Sequence, residues 1–111
     1  MAKTAPALSH YARDALRLLG LLIRQRRLEQ RITVEELAQR GGVSRGLVQR
    51  VERGHPAVAV GSVLELAAIV GVPLFDPDKG RLASAVASTE KTLRLLPAAA
   101  RTTQPKLDDD F

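Results

Sequence analysis

The sequence predicts an all-α protein, and three observations lead to that prediction. Apolar residues recur at the three-and-four spacing of a helix face in several segments. Ser or Thr stands before some of these segments and Gly follows several of them, as is usual at helix ends. Hydrophobic residues make up 45% of the chain but aromatic residues only 3%, so the core has to be built from aliphatic side chains. Such a core favours packed helices.

The first predicted helix runs from Ser9 to about Gln30, after a flexible arm at residues 1–8. Its apolar face is formed by Ala12, Leu16, Leu19, Ile23 and Leu28. Arginines crowd its C-terminal end, where they either complement the helix dipole or contact phosphates, and Arg26 is the phosphate candidate. Arg27 is placed to pair with Glu52 and so to tie this helix to a later one.

Residues 33–54 are predicted to form two short helices joined by a tight turn. Thr33 and Glu36 have the spacing of a capping box at the start of the first of them. Leu37 and Ala38 give that helix a small buried face. The pair Gly41-Gly42 then ends it, because glycine accepts the left-handed backbone found just past a helix end.

The second of these helices carries the clearest functional pattern. Ser44 caps it and Gly54 closes it. Its inward face is formed by Leu47, Val48 and Val51, and its outward side by Arg45, Gly46, Gln49, Arg50 and Arg53. Two short helices with a basic outer face on the second one are typical of a helix-turn-helix DNA reader.

In the C-terminal part of the chain we predict one more helix, followed by a segment whose secondary structure is either helix or strand. The fourth helix spans about Ser62 to Val70, with Val63, Leu64, Leu66, Ala67 and Val70 buried. Residues 77–97 are expected to dimerise through Leu93, Leu95 and Leu96, either as a helix over 81–96 or with a short strand over 92–96. Residues 98–111 are expected to be a disordered acidic tail, in which Leu107 and Phe111 flank three aspartates and either contact a partner or only solubilise the chain.

The overall charge favours nucleic acid as the partner. Seventeen Lys and Arg residues against twelve Asp and Glu give a formal net charge of +5 and a pI near 10.4. The chain has no cysteine, its two histidines lie far apart, and no Ser/His/Asp set has a plausible spacing, so we expect no metal, no cofactor and no catalytic activity. No apolar run approaches a membrane span, which predicts a cytoplasmic, nucleoid-associated bacterial protein.

Leu19–Leu74 resembles the Xre-type, or Cro/phage-repressor, helix-turn-helix domain. The residues that carry the resemblance are Ile23, Arg27, Ile32-Thr33, Glu36-Leu37-Ala38, Gly42-Val43-Ser44, Val48, Glu52, Gly54 and the run Val63–Val72. The resemblance implies a compact five-helix domain, here residues 9–76, that binds a palindromic operator as a dimer.

The resemblance also implies roles for individual residues. Base contacts are expected from Ser44, Arg45, Gly46, Gln49 and Arg50, and phosphate contacts from Arg26, Thr33, Arg53 and His55. Two positions depart from the family pattern. Gly46 has no side chain and allows only close approach, and Val34 stands where the family often has a glutamine that contacts a phosphate.

The C-terminal segment resembles that of HipB-type antitoxins. That likeness implies a repressor of its own operon that also holds a HipA-like serine/threonine kinase toxin through its tail. The alternative is a stand-alone phage-type repressor or a restriction-modification controller without a toxin partner.

Overall fold

The computed structural model describes residues 7–98 of the chain, and the all-α prediction is confirmed. The five helices are α1 (His10–Glu29), α2 (Val34–Gly41), α3 (Arg45–Glu52), α4 (Val60–Val70) and α5 (Lys79–Arg94). No strand occurs in this part of the chain. None of these helices combines the length and the hydropathy that a bilayer crossing requires.

The chain divides into two compact units, Met1–Leu74 and Phe75–Phe111. The first unit contains α1 to α4 and the second contains α5. Most of the expected arm and nearly all of the expected tail, including Leu107 and Phe111, lie outside the described residues.

The short strand considered for residues 92–96 does not form. Thr92 and Leu93 belong to α5, and the Thr92 hydroxyl donates to the Ser88 carbonyl at 3.1 Å. Leu95 and Leu96 follow in a turn whose backbone N–H groups donate three residues back. Helical backbone bonds therefore continue through the segment that also fitted a strand pattern.

The predicted ends of α2 are confirmed, and Ser9 caps α1 instead of forming its first residue. The Ser9 hydroxyl oxygen accepts from the Ala12 N–H at 3.1 Å at the start of α1. At the start of α2, Thr33 and Glu36 form both bonds of the capping box, at 3.0 and 2.8 Å. Helix α2 ends at Gly42, whose φ of +66° lies in the left-handed region that glycine adopts at low cost. These ends fix where the short helices start and stop.

One core joins the four helices of the first unit. Its largest fully buried side chains are Ile23, Leu37, Val48, Leu66 and Val70, so every one of these helices contributes. Two predictions are wrong at its edge: Leu28 is 53% exposed and Leu64 is 38% exposed. Leu64 shares an apolar helix with Val63 and Leu66, but its rotation about the α4 axis takes it out of the core.

Helices α1 and α3 cross at very short range. A Cβ atom built at Gly20 would lie 2.6 Å from the Glu52 carbonyl oxygen and still closer to that of Val51. Since both atoms belong to the backbone, no side-chain movement relieves the overlap. The glycine thus lets α1 lie directly against the C-terminal turn of α3.

Candidate nucleic-acid interface

Helix α3 divides into a buried side and an exposed side. Val48 and Val51 are buried, whereas Arg45, Gln49 and Arg50 are exposed. At 100° of rotation per residue, positions 45, 46, 49, 50 and 53 fall within an arc of about 140°. We call this arc the outer face of α3. It is the side that the sequence pattern predicted to face outward.

A buried ion pair holds α3 against α1. Arg27 Nε donates to Glu52 Oε2 at 2.6 Å, and Arg27 Nη2 donates to Glu52 Oε1 at 3.0 Å. Arg27 Nη1 also donates to the Ile32 carbonyl at 3.0 Å. The two side chains are 8% and 7% exposed. This bidentate arrangement satisfies both charges and fixes the rotation of α3 about its own axis.

Few side-chain atoms cover the backbone at the start of α3. The Ser44 hydroxyl oxygen accepts from the Leu47 N–H at 3.0 Å, which caps the helix. Next to it, a Cβ built at Gly46 would meet the Arg50 Nη1 atom at 3.5 Å, an ordinary van der Waals distance. The Arg50 guanidinium therefore lies beside Gly46, and the surface has no side chain at that point.

The end of α3 presents a second pair of candidate residues. Arg53 is the C-cap residue and is exposed. The exposed His55 ring accepts from the Ala57 N–H at its Nδ1 atom, at 3.0 Å. In the neutral ring this leaves the Nε2 hydrogen as the donor. The outer face thus ends in a cation, Arg53, and a donor, His55, follows two residues later.

Arg17 is a candidate that the sequence analysis missed. A Cβ built at Gly54 would lie 2.9 Å from the Arg17 Cα atom, so α1 passes this residue beside the end of α3. Its side chain is exposed. The sequence feature that could have pointed to Arg17 is its position three residues before Gly20. Residues three apart lie on the same side of a helix, and here that side of α1 faces α3.

Arg26 and Thr33 already take part in contacts within the first unit. Arg26 Nε donates to the Val70 carbonyl at the end of α4 at 3.2 Å, and Arg26 Nη1 donates to Glu29 at 3.0 Å. The latter bond holds the pKa of the Glu29 carboxyl below its ordinary value. Thr33 is exposed, and its hydroxyl oxygen accepts the capping bond from the Glu36 N–H.

The arginines of the outer face are not neutralised by neighbouring carboxylates. In the part of the chain that the structure describes, the ion pairs are Arg26–Glu29, Arg27–Glu52 and Arg81–Asp76. Arg45, Arg50 and Arg53 belong to none of them. Their charges are therefore available to a polyanion.

The remaining candidates lie in the second unit. Leu93, Leu95 and Leu96 stand at the end of α5 and are 60%, 81% and 54% exposed.

No cluster of His, Cys, Asp or Glu within residues 7–98 has the arrangement of a metal site.

Comparison with known families identifies the part of the chain that contains α3. A helix-turn-helix family model matches residues 23–76, just under half of the chain. Residues 23–76 form an Xre-type helix-turn-helix domain. Members of this family are DNA-binding transcription regulators. No curated protein and no solved structure matches the chain.

The Xre-type domain includes the last seven residues of α1 and all of α2, α3 and α4. Both partners of the buried ion pair, Arg27 and Glu52, lie inside it. Arg17 and Gly20 lie before its first residue, although both lie against the end of α3. The contacts that position α3 thus extend beyond the matched residues.

Proposed function

We propose that the protein is a sequence-specific transcriptional repressor that binds a palindromic operator as a dimer. The observation that carries this proposal is the outer face of α3, where arginines without carboxylate partners are exposed on a helix whose other side is buried. A rigid helix with this distribution of charge suits the major groove, which is wide enough to admit it.

The outer face offers specific chemistry for reading bases. Arg45 and Arg50 each carry a guanidinium that can donate two hydrogen bonds to the O6 and N7 atoms of guanine. Gln49 can both accept from and donate to adenine. Gly46 permits close approach of the backbone and can contact a thymine methyl. Ser44, at the helix start, keeps its hydroxyl hydrogen for an acceptor on the DNA.

Phosphate contacts are assigned to the residues around this face. Arg17, Arg53 and His55 adjoin the end of α3, and Thr33 stands at the start of α2. Arg26 contributes less, since two of its donors already bind protein acceptors. Phosphate contacts supply affinity that does not depend on sequence and that falls steeply as the salt concentration rises.

Repression follows from occupancy of the operator. Two copies of the domain, related by a two-fold axis, place their α3 helices in successive major grooves about one helical turn apart. A dimer bound in this way over a promoter blocks RNA polymerase. A footprint on the DNA upstream of the chain's own gene should therefore show a protected palindrome.

The decisive variant is Arg45→Ala. It should weaken operator binding by about 1–3 kcal/mol and leave binding to random duplex nearly unchanged, because a base contact carries sequence information and a phosphate contact does not. Lys91→Ala, which removes one exposed positive charge from α5, is the matched control. Equal losses of Arg45→Ala on operator and random duplex would contradict a base contact.

A second candidate function is that of an antitoxin that holds a HipA-like kinase. The observation that favours it is the C-terminal sequence Leu107–Phe111, in which two apolar residues enclose three aspartates. The helical state of residues 92–94 removes the strand from this resemblance, so the tail alone supports it. Truncation after Pro97 should abolish kinase binding and spare operator binding. Retained kinase binding, or the absence of such a kinase gene next to this one, would favour a stand-alone repressor or restriction-modification controller.

A further inference from the structure

One residue between α1 and α2 has a backbone conformation that its side chain disfavours. Arg31 has a φ of +59°, and every other residue with a positive φ in the part of the chain that the structure describes is a glycine. In this left-handed region the Cβ atom of an L-residue comes too close to the following carbonyl oxygen, whereas glycine has no Cβ atom. An arginine here therefore makes the folded state less stable than a glycine would.

The turn after α1 imposes this conformation on Arg31. The Ile32 N–H donates to the Arg27 carbonyl and the Arg31 N–H donates to the Leu28 carbonyl, both at 3.0 Å. These are the two bonds of a Schellman motif, whose left-handed residue is usually glycine. The Ile32 side chain is buried, and the Ile32 carbonyl accepts from Arg27 Nη1. Arg31 thus cannot leave the left-handed region without displacing Ile32 from the core.

The Arg31 side chain contributes no contact that would offset this strain. It is exposed. Within residues 7–98, the arginines whose side chains form hydrogen bonds or ion pairs are Arg13, Arg26, Arg27 and Arg81. Strained residues of this kind cluster at sites that bind ligands. The retained arginine points to a ligand outside the fold.

Acidic residues close to Arg31 in sequence do not neutralise its charge. Glu29 accepts from Arg26 at 3.0 Å. Glu36 Oε1 accepts from the backbone N–H of the α2 N-cap residue at 2.8 Å. Glu35 belongs to none of the ion pairs of the described residues. The ligand that suits an unpaired guanidinium is an anion, and phosphate oxygens accept from it at two nitrogen atoms.

We propose that Arg31 binds a phosphate of the operator backbone beside the start of α2, an inference that rests on the proposed function. Arg31 lies two residues before Thr33, the N-cap of α2. In a helix-turn-helix pair the first helix, here α2, crosses the DNA backbone while the second enters the major groove. Val34, the first residue of α2, packs against the core and has no side-chain donor. Arg31 supplies the cation at this end of α2.

The Arg31 contact is separate from those at the end of α3. Arg31 precedes α2 and Arg53 caps the C-terminus of α3, so both helices lie between them in the chain. We therefore expect the two arginines to bind different phosphates and to act independently. The double variant Arg31→Gly, Arg53→Ala should reduce the salt slope of duplex binding by about 2, one for each phosphate contact.

Arg31→Gly in the full chain tests the inference because stability and binding should move in opposite directions. The folding equilibrium constant from urea unfolding should rise about threefold or more, since glycine removes the left-handed strain. The slope of log association constant against log salt should become shallower by about 1. Operator and random duplex should lose affinity by the same factor, because a phosphate contact carries no sequence information.

Three further variants separate charge from backbone conformation. Arg31→Lys keeps both the charge and the strain, so the salt slope and the stability should stay close to those of the wild type. Arg31→Asn removes the charge but tolerates the left-handed region, so it should lower the slope as Arg31→Gly does. Arg94→Asn is the matched control, since it removes an exposed arginine from the end of α5 and should leave the slope unchanged.

The outcomes separate this inference from the proposed function. A slope that Arg53→Ala reduces and Arg31→Gly does not would overturn the Arg31 contact and leave the repressor proposal standing. Lower stability of Arg31→Gly would also overturn it, because the side chain would then support the fold. Loss of affinity for the operator alone would exclude a phosphate contact. A wild type that ignores duplex DNA at low ionic strength overturns both proposals.

Discussion

Helices α3 and α5 both present functional candidates on an exposed side, but they differ in what holds them. Helix α3 has only eight residues, yet three of them are buried and one, Glu52, is bonded to α1. Helix α5 is twice as long and has no buried residue. A short helix fixed by its neighbours presents a defined surface to a ligand. A long helix with no buried residue leaves its apolar side chains exposed and does not present a surface that the rest of the chain defines.

The strongest test of this difference replaces one glutamate in each helix. Glu52→Ala should lower the free energy of unfolding by about 3–5 kcal/mol, because it leaves the buried Arg27 guanidinium without its partner. Glu90→Ala in α5 should change it by less than about 0.5 kcal/mol, since that residue is exposed and forms no ion pair in the described residues. Urea unfolding followed by circular dichroism measures both. A loss below 1 kcal/mol for Glu52→Ala, on the scale of a surface change, would mean that the pair does not hold α3.

Two leucine substitutions test the same difference between a helix held by the core and the exposed α5, in this case without removing a charged side chain. Leu66→Ala removes a side chain that is 0% exposed and should cost about 2–5 kcal/mol through lost burial and a cavity. Leu93→Ala should leave the stability of the Xre-type domain nearly unchanged in thermal unfolding at dilute, monomeric concentration. A comparable cost for Leu93→Ala under those conditions would show that α5 packs within its own chain.

The smallest expected effect concerns Gly46, where stability and binding should move in opposite directions. Gly46→Ala places a methyl group 3.5 Å from Arg50 Nη1, an ordinary contact, and should raise the free energy of unfolding by up to about 1 kcal/mol through helix propensity. Operator affinity should fall if this part of α3 approaches the bases closely. An unchanged affinity, measured by fluorescence anisotropy with an operator duplex, would place Gly46 away from the groove.

The short helices were predictable because local chemistry and burial agree there. Thr33, Glu36 and Gly42 mark the limits of α2 by themselves, and the alternation of Val48 and Val51 with exposed polar residues defines the sides of α3. The end of α5 was ambiguous because its leucines fit both a helix and a strand, and none of them is buried against another element in the part of the second unit that the structure describes, residues 75–98.

Other features depend on contacts that no local pattern contains. Leu28 and Leu64 lie on apolar stretches, but the packing of α1 and α4 leaves them at the edge of the core. Arg17 becomes a candidate only because α1 crosses α3 at Gly20, a contact between residues far apart in sequence. Arg26 was assigned to phosphate from its charge, whereas its contacts with Val70 and Glu29 depend on the tertiary structure.

The salt dependence of duplex binding tests most directly whether the surface around α3 binds DNA. The logarithm of the association constant should fall linearly with the logarithm of the salt concentration, with a slope of about −0.9 for each phosphate contacted. Arg53→Ala should reduce that slope by about 1, and Arg94→Ala, which removes the same charge from α5, should leave it unchanged. No binding to duplex DNA at low ionic strength, or equal changes in slope for the two variants, would contradict this interface.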